Sequence, residues 1–129
     1  MKILITGNLG YVGSRLALSL RKNYTDYDLI GFDTGFFKNL VTHDDTDIYL
    51  SKQFYGDIRD YDFLTLDAPS AIIHLAAISN DPIGNEFSQQ TLEINNFASY
   101  NFAKKMKKIG CKKFIFASSC SIYGAAGNT

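Results

Sequence analysis

Three glycines spaced three residues apart, in Thr6-Gly7-Asn8-Leu9-Gly10-Tyr11-Val12-Gly13, form the segment of this chain best suited to chemistry. A phosphate-binding turn gives each glycine a separate task. Gly7 permits the tight turn, Gly10 lets a pyrophosphate approach the backbone, and Gly13 lets a helix pack close to the preceding strand. Free N–H groups and the positive end of that helix then face the phosphates. Asp33 follows 20 residues after Gly13, at the end of a second apolar run. That separation suits a carboxylate that accepts hydrogen bonds from the hydroxyls of an adenosine ribose. Its charge would repel the extra phosphate of NADP, so the expected cofactor is NAD.

The elements that must position these residues alternate along the chain. Lys2 to Thr6 is a short apolar run, a buried strand. Val12, Leu16 and Leu20 recur at helical spacing between Tyr11 and Lys22. Tyr27 to Asp33 reads as the second strand, Lys52 to Tyr55 as the third, and Tyr61 to Leu66 as a short helix. Ala71 to Ala76 is a fourth strand, apolar on both faces, as in a parallel sheet covered on both sides. A long helix spans about Glu86 to Ile109, with Ile94, Ala98, Phe102, Met106 and Ile109 on one stripe and Gly110 as its stop. Lys113 to Ala117 is the fifth strand. The alternation predicts a parallel α/β sheet with right-handed crossovers. The end at Thr129, in what reads as a loop after strand five, gives the expectation of a C-terminally truncated protein whose sheet would normally continue.

The TGxxGxxG form of the glycine segment resembles that of the extended short-chain dehydrogenase/reductases, the NAD-dependent epimerase/dehydratase family. Three further segments agree in order and spacing: Gly56-Asp57-Ile58-Arg59-Asp60, His74-Leu75-Ala76-Ala77 and Ser118-Ser119-Cys120-Ser121-Ile122-Tyr123-Gly124. The resemblance implies a Rossmann-like doubly wound sheet of order 3-2-1-4-5, over residues 1–129, with the substrate domain missing. It implies backbone contacts from Tyr11 and Val12 to the pyrophosphate. It places Asp57 on the adenine amine and Ile58 on the adenine ring. Leu75, Ala76, Ala77 and Ile78 would line the nicotinamide-ribose side, with Asn95 of the long helix near the cofactor. Ser119 would be the active-site hydroxyl that hydrogen-bonds the reacting substrate oxygen. The family's Tyr-x-x-x-Lys pair, base and pKa-lowering cation, is expected beyond Thr129, so the segment alone is expected to be inactive. The implied activity is sugar-nucleotide epimerisation through transient hydride transfer to the nicotinamide. Cys120-Ser121 stands where 4,6-dehydratases tend to carry Asp-Glu, which favours an epimerase or reductase over a dehydratase. A non-catalytic dinucleotide-binding or regulatory module is the alternative from another class.

Other features have plainer readings. His74, just before the cofactor-lining alanines, reads as a packed strand residue. His43 with Asp44, Asp45 and Asp47 lacks a metal-ligand spacing and reads as a solvated acidic loop, so no metal is expected. Lys104, Lys105, Lys107, Lys108, Lys112 and Lys113 suit the negative end of the long helix. Thirteen basic against 13 acidic residues give no electrostatic case for nucleic acid. No apolar run reaches the length of a membrane span. Two cysteines, Cys111 and Cys120, are too few for a disulfide scaffold and point to a reducing, cytoplasmic setting. Cys120 as a nucleophilic thiol has no visible acid-base partner. Phe97 and Tyr100 lie off the core stripe, either as plain surface aromatics or, by the resemblance, as part of a homodimer contact through helix 86–109.

Overall fold

A computed structural model describes residues 1–38, 46–63, 67–79 and 86–119. His43 and its acidic neighbours Asp44 and Asp45, like Cys120, lie outside these residues. Five strands, β1 (Lys2–Thr6), β2 (Asp28–Asp33), β3 (Lys52–Tyr55), β4 (Ala71–His74) and β5 (Phe114–Phe116), form one sheet in the order β3-β2-β1-β4-β5. All four pairings are parallel, with Ile5 beside Gly31 on one side and Ile73 on the other. Every strand therefore delivers its following loop to the same edge.

Side chains alternate across the pleat, so β1 and β4 feed two cores. Leu4 and Ile72 join Phe32, Ile58, Phe63, Ala98, Phe102 and Met106 on one face. Ile3, Ile5 and Leu29 join Ala17 of helix α1 (Tyr11–Asn23) on the other. Each fully buried Phe, Leu or Ile contributes about 1.5–3 kcal/mol of transfer free energy. The expected stripe on the long helix holds: Ala98, Phe102 and Met106 are buried, and Ile94 and Ile109 pack against the same cluster.

That helix differs from its expected form in one respect. It is α2 (Ser88–Leu92), then a π-helical turn over Glu93–Ala98, then α3 (Ser99–Lys108). Its stop is as expected. Gly110 has φ +100, its N–H donates to Lys107 O at 3.1 Å, and the N–H of Cys111 donates to Met106 O at 3.0 Å. This double closure is the Schellman arrangement. Of the short helix expected over residues 61–66, Tyr61 and Asp62 are irregular and 64–66 lie outside the described residues. Strands β4 and β5 end at His74 and Phe116, slightly short of expectation. On β5, at the sheet's edge, Phe114, Ile115 and Phe116 are exposed, as are Phe97 and Tyr100 on the long helix. Among the described residues no helix is long and apolar enough to cross a membrane.

Candidate dinucleotide-binding site

The glycine loop joins β1 to α1 at the carboxyl edge of the sheet. Gly7 has φ +74, and a Cβ there would lie 2.7 Å from the backbone N of Ala76. A Cβ on Gly13 would lie 2.3 Å from Gly7 O and 2.5 Å from Asn8 Cα. Both positions are glycine because the fold leaves no room for more. Gly10 is different: its φ is −80, and a Cβ would meet only Gly7 O, at 3.3 Å, which a shift of a few tenths of an ångström relieves. Crowding is therefore far milder at Gly10 than at Gly7 or Gly13.

Gly10 is also the N-cap of α1. It offers no side-chain cap, and the first turn carries no acidic residue. The first turn-closing bond runs from Ser14 N–H to Gly10 O at 3.0 Å. The N–H groups of Tyr11, Val12 and Gly13 precede it and have no intrahelical acceptor. They point, with the helix dipole, toward a site for an anion. The Tyr11 and Val12 side chains are exposed, which leaves their contribution to the backbone.

Asp33 ends β2 beside this loop. Its Oδ2 accepts the Leu9 N–H at 3.0 Å and its Oδ1 the Gly35 N–H at 2.8 Å. Each carboxylate oxygen keeps acceptor capacity for a further hydroxyl. The carboxylate thus braces the glycine loop and can still receive a ribose. After β3, Asp57 is held in a fork by Arg59, Nε to Oδ1 at 3.0 Å and Nη2 to Oδ2 at 2.7 Å. Hydrogen bonding from the Arg59 guanidinium keeps the Asp57 carboxyl below its ordinary pKa, against the opposing effect of burial. Arg59 Nη1 also lies 3.5 Å from Glu93. Ile58 is buried in the core cluster with Phe102 and Met106.

On the other side of β1, the chain leaving β4 lies against the glycine loop. Leu75 N–H donates to Thr6 O at 2.9 Å. Ala76 is half-buried and Ala77 exposed. Asn95, on the π-helical turn, clasps Ile78 twice: its Oδ1 accepts the Ile78 N–H and its Nδ2 donates to Ile78 O, each at 2.8 Å. Ser119 is exposed, two residues beyond Ala117, whose N–H donates to His74 O at 3.1 Å. The loop residues named from sequence therefore follow strand ends along one edge, with Asn95 reaching them from the long helix.

His74 is packed, as expected. Its ring is buried between Thr6, with Oγ1 2.6 Å from Nδ1, and Ser99, with Oγ 2.8 Å from Nε2. Burial pushes its pKa from 6.5 down to about 4, so the ring is neutral at physiological pH. Sequence reasoning missed a part-buried amide pair. Asn8 is fully buried, and its Nδ2 donates to Gln53 Oε1 at 2.7 Å. The pair crosses above Gly31, where a Cβ would come within 2.6 Å of Asn8 Nδ2. A glycine in mid-strand is a signal of such a close approach.

These features fit a dinucleotide: uncapped N–H donors, a glycine at the helix N-cap, and an acidic residue at the adjacent strand end. Comparison with known proteins agrees. Residues 3–129 match the model of the NAD dependent epimerase/dehydratase family. The UDP-glucose 4-epimerase of Lacticaseibacillus casei is 30% identical over 96% of this chain and 37% of its own length. The dTDP-D-glucose 4,6-dehydratase of Dictyostelium discoideum is 31% identical over 96% of this chain and 30% of its own. Among solved structures, UDP-N-acetylglucosamine 4-epimerase from Methanobrevibacter ruminantium M1, in complex with UDP-N-acetylmuramic acid, superposes with a TM-score of 0.80 at 26% identity. It is covered to 40% of its length, against 98% of this chain. The chain thus spans well under half the length of these relatives. With the family model matching residues 3–129, the chain belongs to the NAD dependent epimerase/dehydratase family.

Proposed function

We propose that this chain is the NAD-binding portion of a sugar-nucleotide epimerase. One observation carries the reading: the fold excludes a side chain outright at Gly7 and Gly13 and crowds one far less at Gly10, the glycine at the mouth of an uncapped helix. When bound, NAD supplies hydride transfer to and from its nicotinamide. The chain's own residues do the holding. Gly10, Tyr11, Val12 and Gly13 present backbone to the pyrophosphate, and Asp33 accepts the ribose hydroxyls. Asp57 marks the adenine end, with Ile58 behind it. Leu75 to Ile78, fixed by Asn95, line the nicotinamide side. Ser119 orients a substrate oxygen. The long helix with its exposed Phe97 and Tyr100 pairs two copies, and the compartment is the cytoplasm.

Titration calorimetry with NAD and NADP tests the cofactor assignment. NAD binds the tighter, and Asp33→Ala weakens it by roughly 1.5–3 kcal/mol, the scale of a hydrogen bond to a charged group. Asp33→Asn, which keeps an acceptor for the Leu9 N–H, narrows the preference for NAD over NADP. Tighter NADP binding by the unmodified chain would remove Asp33 from the ribose site.

The activity is tested on a panel of UDP-, GDP-, dTDP- and CDP-sugars. The 129-residue chain binds NAD without interconverting sugars. Joined to a segment bearing a Tyr-x-x-x-Lys pair and a substrate domain, it turns them over, and Ser119→Ala then lowers kcat by about 10²-fold or more. NAD binding without turnover in either form favours a non-catalytic binding module instead.

A further inference from the structure

We propose that His74 is a positioning residue for the nicotinamide half of the site, joining through one imidazole Thr6 of β1 and the long helix that carries Asn95, the two elements that hold residues 75–78; this rests on the dinucleotide reading above. The sheet order separates the halves. Asp33 ends β2 on one side of β1, so the adenosine half lies over β2 and β3 and the other half over β4 and β5. The segment under that second half is 75–78, and it is held from two directions. From β1, Thr6 O accepts the Leu75 N–H at 2.9 Å, and Thr6 Oγ1 accepts the Ala76 N–H at 3.4 Å. From the long helix, Asn95 clasps both backbone groups of Ile78.

His74 links Thr6 to Ser99 of the long helix, and one proton arrangement satisfies every contact. Ile94 O can only accept, so the Ser99 hydroxyl donates to it, at 3.2 Å. Ser99 Oγ must then accept from His74, at 2.8 Å, which places the ring proton on Nε2. Nδ1 is therefore bare and accepts the Thr6 hydroxyl proton, at 2.6 Å. Thr6 Oγ1 is left with its lone pairs for the Ala76 N–H. The relay thus runs Ala76, Thr6, His74, Ser99, Ile94. It ends on the residue before Asn95, inside the π-helical turn, a distortion often found at functional sites. A chain of hydrogen bonds with one allowed direction holds both anchors in register.

Calorimetry with NAD and with ADP-ribose, which lacks the nicotinamide, tests the role on the 129-residue chain. The unmodified chain is expected to bind NAD more tightly than ADP-ribose. His74→Phe keeps the ring volume and removes both hydrogen bonds. It is expected to weaken NAD about tenfold, the effect of losing roughly one hydrogen bond, with ADP-ribose changed less than about twofold. Ser99→Ala breaks the far end of the relay and decides on the same ratio where His74→Phe does not fold. Equal losses for both ligands, or no loss for either, would overturn the proposal. An unmodified chain that binds neither ligand overturns the dinucleotide reading, and this proposal with it. Imidazole ¹⁵N shifts at neutral pH give an independent readout: the Nε2–H tautomer supports the relay, and the Nδ1–H tautomer overturns it.

Discussion

Gly13→Ala abolishes tight NAD binding and destabilises the fold, whereas Gly10→Ala abolishes binding and leaves the fold nearly intact. The contrast follows from where a Cβ would go. At Gly13 it would strike backbone on two residues, Gly7 O at 2.3 Å and Asn8 Cα at 2.5 Å, overlaps that no small shift relieves. The helix must lift off the loop, an overpacking that costs about 1–3 kcal/mol. The phosphate-facing N–H groups move with it and lose their common aim at the anion. At Gly10 the one close protein atom is Gly7 O, at 3.3 Å, and the backbone is already in a conformation open to alanine. Its added methyl group stands where the pyrophosphate would approach. Thermal melting and NAD calorimetry on the two variants separate the cases. A Gly10→Ala chain that binds NAD like the parent would move the phosphates elsewhere.

Acid weakens the fold through His74, over a window that opens just below neutral pH. The ring titrates at about 4 in the folded state against 6.5 for an unperturbed histidine. Between those values the unfolded chain takes up a proton that the folded chain refuses, so stability falls as pH falls. The contribution is fully present above pH 6.5, is lost progressively down to about pH 4, and changes no further below that. Its size is roughly 3 kcal/mol. Asp57 acts in a separate window, since its carboxyl is held below its ordinary 3.8. Urea denaturation at several pH values, for the parent and for His74→Gln, measures the difference in slope. Equal slopes would show that the buried ring takes up its proton as readily as a free one.

What the sequence disclosed and what it concealed divide along physical lines. β1 and β2 were legible because apolar runs buried on both faces stop abruptly at Thr6-Gly7 and Asp33. Gly110 was legible because a left-handed cap has few residue solutions. The π-helical turn was not. Its apolar stripe steps by four from Ile94 to Met106, and a broad stripe tolerates one extra residue in a turn without leaving the core. β4 stops short of Ala76, whose N–H faces the Thr6 hydroxyl instead of a neighbouring strand's backbone, and the chain is next held by Asn95 at Ile78, long-range contacts that no local pattern encodes. The Asp57–Arg59 fork and the burial of Ile58 are likewise tertiary outcomes. The glycine loop was readable because backbone crowding at Gly7 and Gly13 narrows the choice of residue, and Asp33 because a carboxylate at the end of β2 stands beside that loop. The relay partners of His74 were not, since hydroxyls such as Thr6 and Ser99 occur in any element.

The amide pair beneath the glycine loop constrains how this family member can be altered by exchange with its relatives. Asn8, Gly31 and Gln53 sit on three separate segments yet occupy one shared volume, which a single methyl at position 31 would fill. They pack as a set. A glycine loop transplanted from a relative with alanine at position 8 would leave Gln53 without its partner and a void above Gly31. The reverse graft would force Asn8 into a space its host has already filled. Any chimera that cuts between β1 and β3 therefore has to carry all three positions across the junction.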